Sequence, residues 1–299
     1  MNEVWIAGEA LIDLVNVSGS RTAHVGGGPA NTAKALARLG LPSFFVGGIS
    51  SDDYGALIEA ELKESGVNLS LVLRGSQPTA LANAVIDENG VATYSFELEG
   101  TTTFDFSKSW LPLGRPDVVH VGSEATLIEP GAAELLSWVK ELSVPVVFDP
   151  NVRPSIMSDR ELYRTAVEKW ISVASVVKLS DEDLHWLYGD DAVGVIKRWL
   201  SDGVSVVVVT RGAEGLSGYF GDEVIDVPAV KVDLVDTIGA GDTIGAALVE
   251  GLVRYEIKSF CSHLEQILRR AALAASITCS RAGANPPWKS ELNRTRAVR

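Results

Sequence analysis

Short β-branched runs alternate along this chain with longer stretches of helical period, and that alternation constrains the fold more than any other feature. Strands are expected at residues 4–7, 44–46, 118–121, 144–148, 176–178 and 204–210, most of them continuous apolar runs. Helical patterns fall between most of them, over 29–39, 54–65, 131–142, 159–172, 181–188 and 192–201. Ser158 with Glu161 reads as a capping box, and Gly40 and Gly66 read as C-terminal stops. Strand and helix in turn, with strands apolar on both faces, predict an α/β fold: a mostly parallel central sheet flanked by helices on both faces.

One segment departs from the rhythm. Residues 81–86, the turn Asp87-Glu88-Asn89-Gly90 and residues 91–98 form a hairpin pattern with Ala92, Tyr94, Phe96 and Leu98 on one face. With residues 15–25 it is expected to make a small antiparallel sheet that covers a ligand or meets a second subunit; the other reading is an edge hairpin of the main sheet. A shorter hairpin pattern surrounds Gly221 and Asp222. The tail after Pro286 and Pro287, with Lys289, Arg294, Arg296 and Arg299, is expected to be mobile.

Composition narrows the function. With 39 acidic against 26 basic residues, the net charge of -13 repels nucleic acid and anionic membrane, although a nucleotide can still be held by local N–H donors. No apolar run approaches the roughly 18 residues of a membrane span, and the start lacks a signal pattern, so a cytoplasmic location is expected. The two cysteines lack a C-x-x-C spacing and are expected to be reduced, and none of the four histidines sits in a zinc pattern.

The most informative stretch is Asp236-Thr237-Ile238-Gly239-Ala240-Gly241-Asp242-Thr243-Ile244-Gly245, followed by an apolar helical pattern. Small residues at 239–241 let a ligand approach the backbone, and N–H groups at a helix start can hold charge on a transferring phosphoryl group. A carboxylate at 242 disfavours mere phosphate binding but suits a base that takes a proton from an attacking hydroxyl. The alternative is a glycine-rich helix start with an acidic first turn. Near the N-terminus, Gly26-Gly27-Gly28-Pro29-Ala30-Asn31 opens another helix; Asn31 offers a donor and an acceptor to sugar hydroxyls, and Asp13 offers two acceptors. The G-x-G-x-x-x-G at 239–245 lies too late in the chain for a dinucleotide fingerprint, and the P-loop and protein-kinase motifs are absent.

These two stretches together resemble the signatures of the ribokinase-like (PfkB) family of carbohydrate kinases. The resemblance extends over nearly the whole chain, through Gly8, Glu9 and Asp13, Asp149-Pro150-Asn151 with Arg153, 178–183 and 210–215. Within the family the likeness is greatest to fructokinases, from residues 8–13, Glu99-Gly100-Thr101 and 278–287. It implies a single kinase domain over 1–299, with a β lid from about 15–25 and 79–106, and a homodimer through that lid is left open. It implies Asp242 as base, with Gly239, Ala240 and Gly241 as anion hole, and Asp13, Gly27, Gly28, Asn31 and Arg153 as sugar contacts. Lys178, Ser180, Thr210, Gly212 and Gly215 would line the nucleotide. Asp183 would order water around Mg2+, although Ser180 and Asp183 stand where many members carry N-x-x-E and could equally form a capping pair. Ile238 replaces a threonine, which leaves a monovalent cation such as K+ near Asp236 open. ATP and Mg2+ are thus the implied cosubstrate and ion, and fructose the implied acceptor. The rivals are a 2-keto-3-deoxygluconate kinase, which must bind a carboxylate, other PfkB kinases acting on ribose or nucleosides, and a non-catalytic sugar or nucleotide sensor.

Overall fold

The computed structural model describes residues 3–17, 20–86 and 92–297. Its strands are β1 (Val4–Ala7), β2 (Leu11–Val17), β3 (Ser20–Gly26), β4 (Ser43–Val46), β5 (Gly48–Ser50), β6 (Leu73–Gly75), β7 (Leu81–Ile86), β8 (Ala92–Glu97), β9 (Val118–Gly122), β10 (Val146–Asp149), β11 (Val176–Ser180), β12 (Val206–Thr210), β13 (Leu216–Phe220) and β14 (Glu223–Val227). Its helices are α1 (Gly28–Arg38), α2 (Asp53–Glu64), α3 (Gly131–Leu142), α4 (Arg160–Ile171), α5 (Asp181–Tyr188), α6 (Ala192–Ser201), α7 (Ala240–Phe260), α8 (Leu264–Cys279) and α9 (Lys289–Ala297).

The main sheet runs in the order β14-β13-β12-β11-β10-β9-β1-β4. The six strands expected from sequence form its parallel part, and the hairpin around Gly221 closes one edge as the antiparallel pair β13–β14. Alternate residues of each strand enter two separate cores. Val4, Ile6, Val147, Val176 and Val206 pack under α1, α7 and α8, while Trp5, Phe148, Val177, Leu179 and Val207 pack under α3, α4, α5 and α6. That two-sided burial is why the strands carry no polar alternation. From β1 the chain moves to β4 on one side, and β9 later pairs with the other side of β1. The order therefore reverses between β1 and β9, and the crevice at the carboxyl ends of the strands there is where open α/β sheets bind ligands.

The segments expected to form a lid make a second sheet, β3-β2-β7-β8, separate from the main one. Two antiparallel hairpins join through a parallel β2–β7 pair. Ile12 and Leu14 turn one face onto the core near Ile58 and Leu62 of α2, which anchors the lid to the body. Asp13, Ala82 and Phe96 share a row on the opposite face. The lid begins earlier than expected, at Leu11, and ends sooner: Thr101 to Phe104 and Phe106 are buried in the body. The Asp87 to Gly90 turn lies outside the described residues.

Two local expectations are corrected. Asp159, not Ser158, caps α4, because its Oδ1 accepts the N–H groups of Glu161 and Leu162, both at 3.0 Å. As far as Ala297 the tail is folded rather than mobile: it forms α9, with Leu292 fully buried, Glu291 paired with Arg281 and Trp288 stacked under the Arg38 guanidinium, while Arg299 lies outside the described residues. The glycine stops hold. Leu41 N–H bonds to Leu36 O and Val67 N–H to Leu62 O across Gly40 and Gly66, whose φ values are 85° and 87°.

Gly66 is exposed, and an added methyl would meet only Ala37, at 4.0 Å. Gly66→Ala is therefore a pure backbone test: left-handed strain should lower unfolding stability by about 1 kcal/mol with no change in catalytic constants. Urea unfolding together with steady-state kinetics checks both halves.

Candidate active site

Polar side chains gather at the carboxyl ends of β1, β9, β10, β11 and β12, beneath the N-terminus of α7. Helix α7 starts at Gly239, whose φ of 77° is left-handed and whose Cα lies so close to Ala284 that an added methyl would sit 2.7 Å from its Cβ. Only glycine satisfies both conditions. Gly241 and Asp242 follow in the first turn, where N–H groups have no carbonyl one turn earlier in the helix. Asp236 fixes the approach, accepting from the N–H of Ile238 at 3.0 Å and of Gly283 at 2.8 Å.

Asp242 is partly exposed to the crevice, and its Oδ2 accepts a 3.0 Å hydrogen bond from Asn31 Nδ2. Burial pushes its carboxyl up to about 6; Asp149 adds to the rise, while the Lys178 charge, the Asn31 bond and Arg153 oppose it. Asn31 thus commits its donor to the carboxylate and leaves its buried Oδ1 without a protein partner. Gly28, in the first turn of α1, is the gap in front of this pair. A methyl there would come within 3.4 Å of Asp242 Oδ1 and 3.2 Å of Asn151 Nδ2, so the absent side chain leaves room beside the carboxylate. Gly27 is the N-cap of α1, with φ 102°.

Lys178, 5% exposed, donates to Asp149 Oδ2 at 2.7 Å. Burial alone would depress its ammonium, but Asp149, Asp242 and Asp183 outweigh it and raise it. Its Nζ lies where a methyl on Gly241 would be 2.9 Å away, so the charge sits at the start of α7. Asp149 Oδ1 has no protein donor. Ser180 and Asp183 form a capping box at the start of α5, and Asp183 Oδ1 also accepts from Val152 N at 3.1 Å. Both carboxylate oxygens therefore hold backbone N–H groups, while the acid stays close enough to Asp149 and Lys178 to feel their charges.

Thr210 lies opposite Ser180 in the β11–β12 ladder, and the exposed turn after it, with Gly212 at φ 48° and Gly215 at φ 102°, continues the crevice away from the lid. On the lid side, Asp13 lies across Gly26, where a methyl would strike Oδ2 at 2.2 Å. Its carboxyl is raised by burial and the Glu124 charge against the pull of His24 and Arg153. Arg153 is exposed and donates only to backbone carbonyls, Val152 O at 3.0 Å being the nearer. The crevice therefore runs from Asp13 and Gly28 at one end, past Asp242 and Lys178 at its centre, to Ser180 and the turn ending at Gly215.

Four residues were not assigned from sequence. Ser123 directly follows β9 and Asn151 comes two residues after β10; both adopt left-handed φ, 59° and 42°, and they are joined by a 3.2 Å bond from Asn151 Nδ2 to Ser123 Oγ. Glu124 follows Ser123. His120, fully enclosed with neither ring nitrogen bonded, lies beneath Gly245; burial and Lys178 drive its imidazole down to about 3, so it is neutral. The available signal was position alone, at or just past the end of an apolar strand.

The pfkB family of carbohydrate kinases matches residues 1–291. The fructokinase of Rhizobium leguminosarum bv. trifolii is 37% identical over 261 residues, spanning 83% of this chain and 79% of that protein. Among solved structures, a fructokinase with bound ATP from Xylella fastidiosa superposes with a TM-score of 0.89 at 26% identity, covering 99% of each chain. A fructokinase from Vibrio cholerae O395, in a form with fructose, ADP and calcium ion bound, gives a TM-score of 0.85 at 25% identity over 98% of each. Both the signature stretches and the fold run through these matches: the chain belongs to the pfkB family of carbohydrate kinases, phosphotransferases that act on a sugar hydroxyl.

Proposed function

We propose that the protein is a fructokinase that uses Asp242 as general base to move the γ-phosphoryl group of ATP to a fructose hydroxyl. The observation that carries this reading is the Asp242 carboxylate, held on one oxygen by Asn31 and open on the other over Gly28, with the Lys178 ammonium at the adjacent helix start. A hydroxyl seated over Gly28 gives its proton to Oδ1 as its oxygen attacks the γ-phosphorus in line. The N–H groups of Gly239 and Gly241 and the Lys178 charge stabilise the equatorial phosphoryl oxygens, whereas the Ala240 N–H, the third of the expected anion hole, is bonded to Thr237 O at 3.2 Å. Asp13, Asn31 Oδ1 and Arg153 orient the sugar. The turn from Thr210 to Gly215, with Ser180, runs along the nucleotide.

A hydrated Mg2+ fits the carboxylates beside Lys178: Asp149 has a buried oxygen with no protein donor, and each Asp183 oxygen retains a second lone pair. When bound, the ion neutralises phosphate charge. The fructokinase names of the relatives support fructose as acceptor, as do Glu9 and Glu99 in their sequence contexts.

Asp242→Asn is nearly isosteric and removes the proton acceptor, so kcat should fall by about 10² to 10⁴. Because the folded pKa of about 6 exceeds the unfolded value, the carboxylate opposes folding progressively as pH rises to 6, and Asn removes that opposition. Melting temperature should therefore hold or rise. In the unaltered enzyme, log kcat/KM should climb with unit slope toward pH 6 and level above it. A variant retaining a tenth of kcat removes Asp242 from the role of base.

In an ADP-release screen across fructose, ribose, 2-keto-3-deoxygluconate, aminoimidazole riboside and nucleosides, fructose should have the highest kcat/KM. A tenfold preference for another acceptor, about 1.4 kcal/mol, overturns the assignment. The lid face that carries Asp13, Ala82 and Phe96 is proposed to close over the sugar. Shortening β7 and β8 together should raise the sugar KM and increase sugar-independent ATP hydrolysis, since water then reaches the phosphoryl group. Unchanged kinetics would leave the lid without that role.

A further inference from the structure

A pair of acids that no step above uses lies under the acceptor side. Glu9 follows β1 and is fully buried; its Oε2 accepts the Ala125 N–H at 3.0 Å, and no donor in the protein reaches Oε1 other than through its contact with the Glu124 carboxyl. Burial and the neighbouring Glu124 hold the Glu9 carboxyl well above the usual range. Two carboxyl groups in contact out of water cannot both ionise, so the pair carries one negative charge, with the proton on the more deeply buried Glu9. Ser123 directs it, because its hydroxyl donates to Glu124 Oε2.

That charge is close to the sugar. Ser123 Cβ is 3.5 Å from where a methyl on Gly28 would be, and the same Ser123 hydroxyl receives the Asn151 amide. The field of Glu124 raises both the Asp13 carboxyl and the Tyr163 phenol. The left-handed φ of Ser123 and Asn151 is strain held in place at this junction. Asn31 Oδ1, buried and unpartnered, points to a hydroxyl donor as the missing group. Asp13 and Asn31 Oδ1 therefore welcome O–H donors, and the Asp13 and Glu124 carboxyls oppose a further anion, with Arg153, His24 and the Asn151 amide as the counterweights.

We propose that Glu124 is a specificity-determining residue, which makes the acceptor pocket select uncharged sugars against carboxylated ones of the same shape. The inference deepens the fructokinase reading and rests on it for the choice of probes. Like charges facing one pocket in a partly screened site repel strongly enough to change affinity by about tenfold.

The test compares fructose with 2-ketogluconate, which has a carboxylate in place of the C1 hydroxymethyl, and with fructuronate, which has one at C6. Each acid is measured as a competitive inhibitor, and its Ki is divided by the KM of fructose. The double variant Glu9→Gln, Glu124→Gln keeps the shape and removes the charge; at least one of the two ratios should fall tenfold or more. Glu9→Gln alone keeps the charge on Glu124, since an amide replaces a protonated acid, and both ratios should stay within about threefold. If the double variant does not fold, Glu124→Gln alone is read in the same way, with the same drop expected. Unchanged ratios in the charge-free variant, or an equal drop in Glu9→Gln, overturn the proposal. If fructose is not turned over, the fructokinase reading fails by itself, and the ratios are taken against the best neutral acceptor and its carboxylated form.

Discussion

An ammonium group 5% exposed inside a protein needs a partner, and the arrangement of this site follows from how Lys178 gets one. Asp149, on the neighbouring strand, supplies a 2.7 Å charge-assisted bond and ties the ends of β10 and β11 together. Such a pair need not stabilise the fold, because two desolvated charges often cost as much as they return. Its use is positional. The flat parallel sheet places Lys178 and Asp149 on the face covered by α7, so the ammonium meets the helix start at Gly241, where N–H groups already favour anions. In a chain of net charge -13, with Asp149, Asp242 and Asp183 around this single ammonium, local N–H donors at the helix start matter more for an anion than the overall field does.

Glycine at 28 and 239 is the second condition. At each position the missing side chain is occupied by something the chemistry needs: space beside Asp242 at Gly28, and contact with Ala284 at Gly239 that fixes the helix start. Asn31 links the two motifs, since it belongs to the first helix and hydrogen-bonds the carboxylate of the seventh, 211 residues later in the chain. The two signature stretches are thus one structural unit. Their separation in sequence reflects the switch of strand order between β1 and β9, which brings α1 and α7 onto the same face of the sheet.

The parallel strands and most helix limits were legible because each is set by local rules: a two-sided apolar run, a glycine with positive φ, a helical period. The motif residues were legible because small residues before a carboxylate have few structural uses. What was not legible depends on tertiary contact. Ser158 and Asp159 are equally good caps by composition, and only the path into α4 chooses Asp159. Helix α9 has a polar composition and is held through single contacts, Leu292 in the core and Arg38 with Trp288, which no periodicity announces. Residues 11–14 lay outside the expected lid because Leu11, Ile12 and Leu14 are buried like body residues, although their strand belongs to the lid sheet. Ser123, Glu124 and His120 were invisible for the opposite reason: nothing in their immediate sequence distinguishes them from any strand end.

The buried polar atoms without protein partners show how the site divides its work. Asn31 Oδ1, Asp149 Oδ1 and both nitrogens of His120 are in or directly under the crevice and Arg211 Nε is in the turn that continues it, whereas Trp5 Nε1 shares that condition away from it among the described residues. A stable fold avoids such atoms, since each leaves a desolvation penalty uncompensated. Their concentration at the strand ends means that the crevice is incomplete without donors such as hydroxyls or water to fill it. The polar groups are already held in position by the sheet, so a substrate that completes their hydrogen bonds does not have to organise them first. An acceptor lacking the matching hydroxyl would leave a buried group unpaired, and that penalty, more than any attractive contact, is how a rigid site of this kind rejects the wrong sugar.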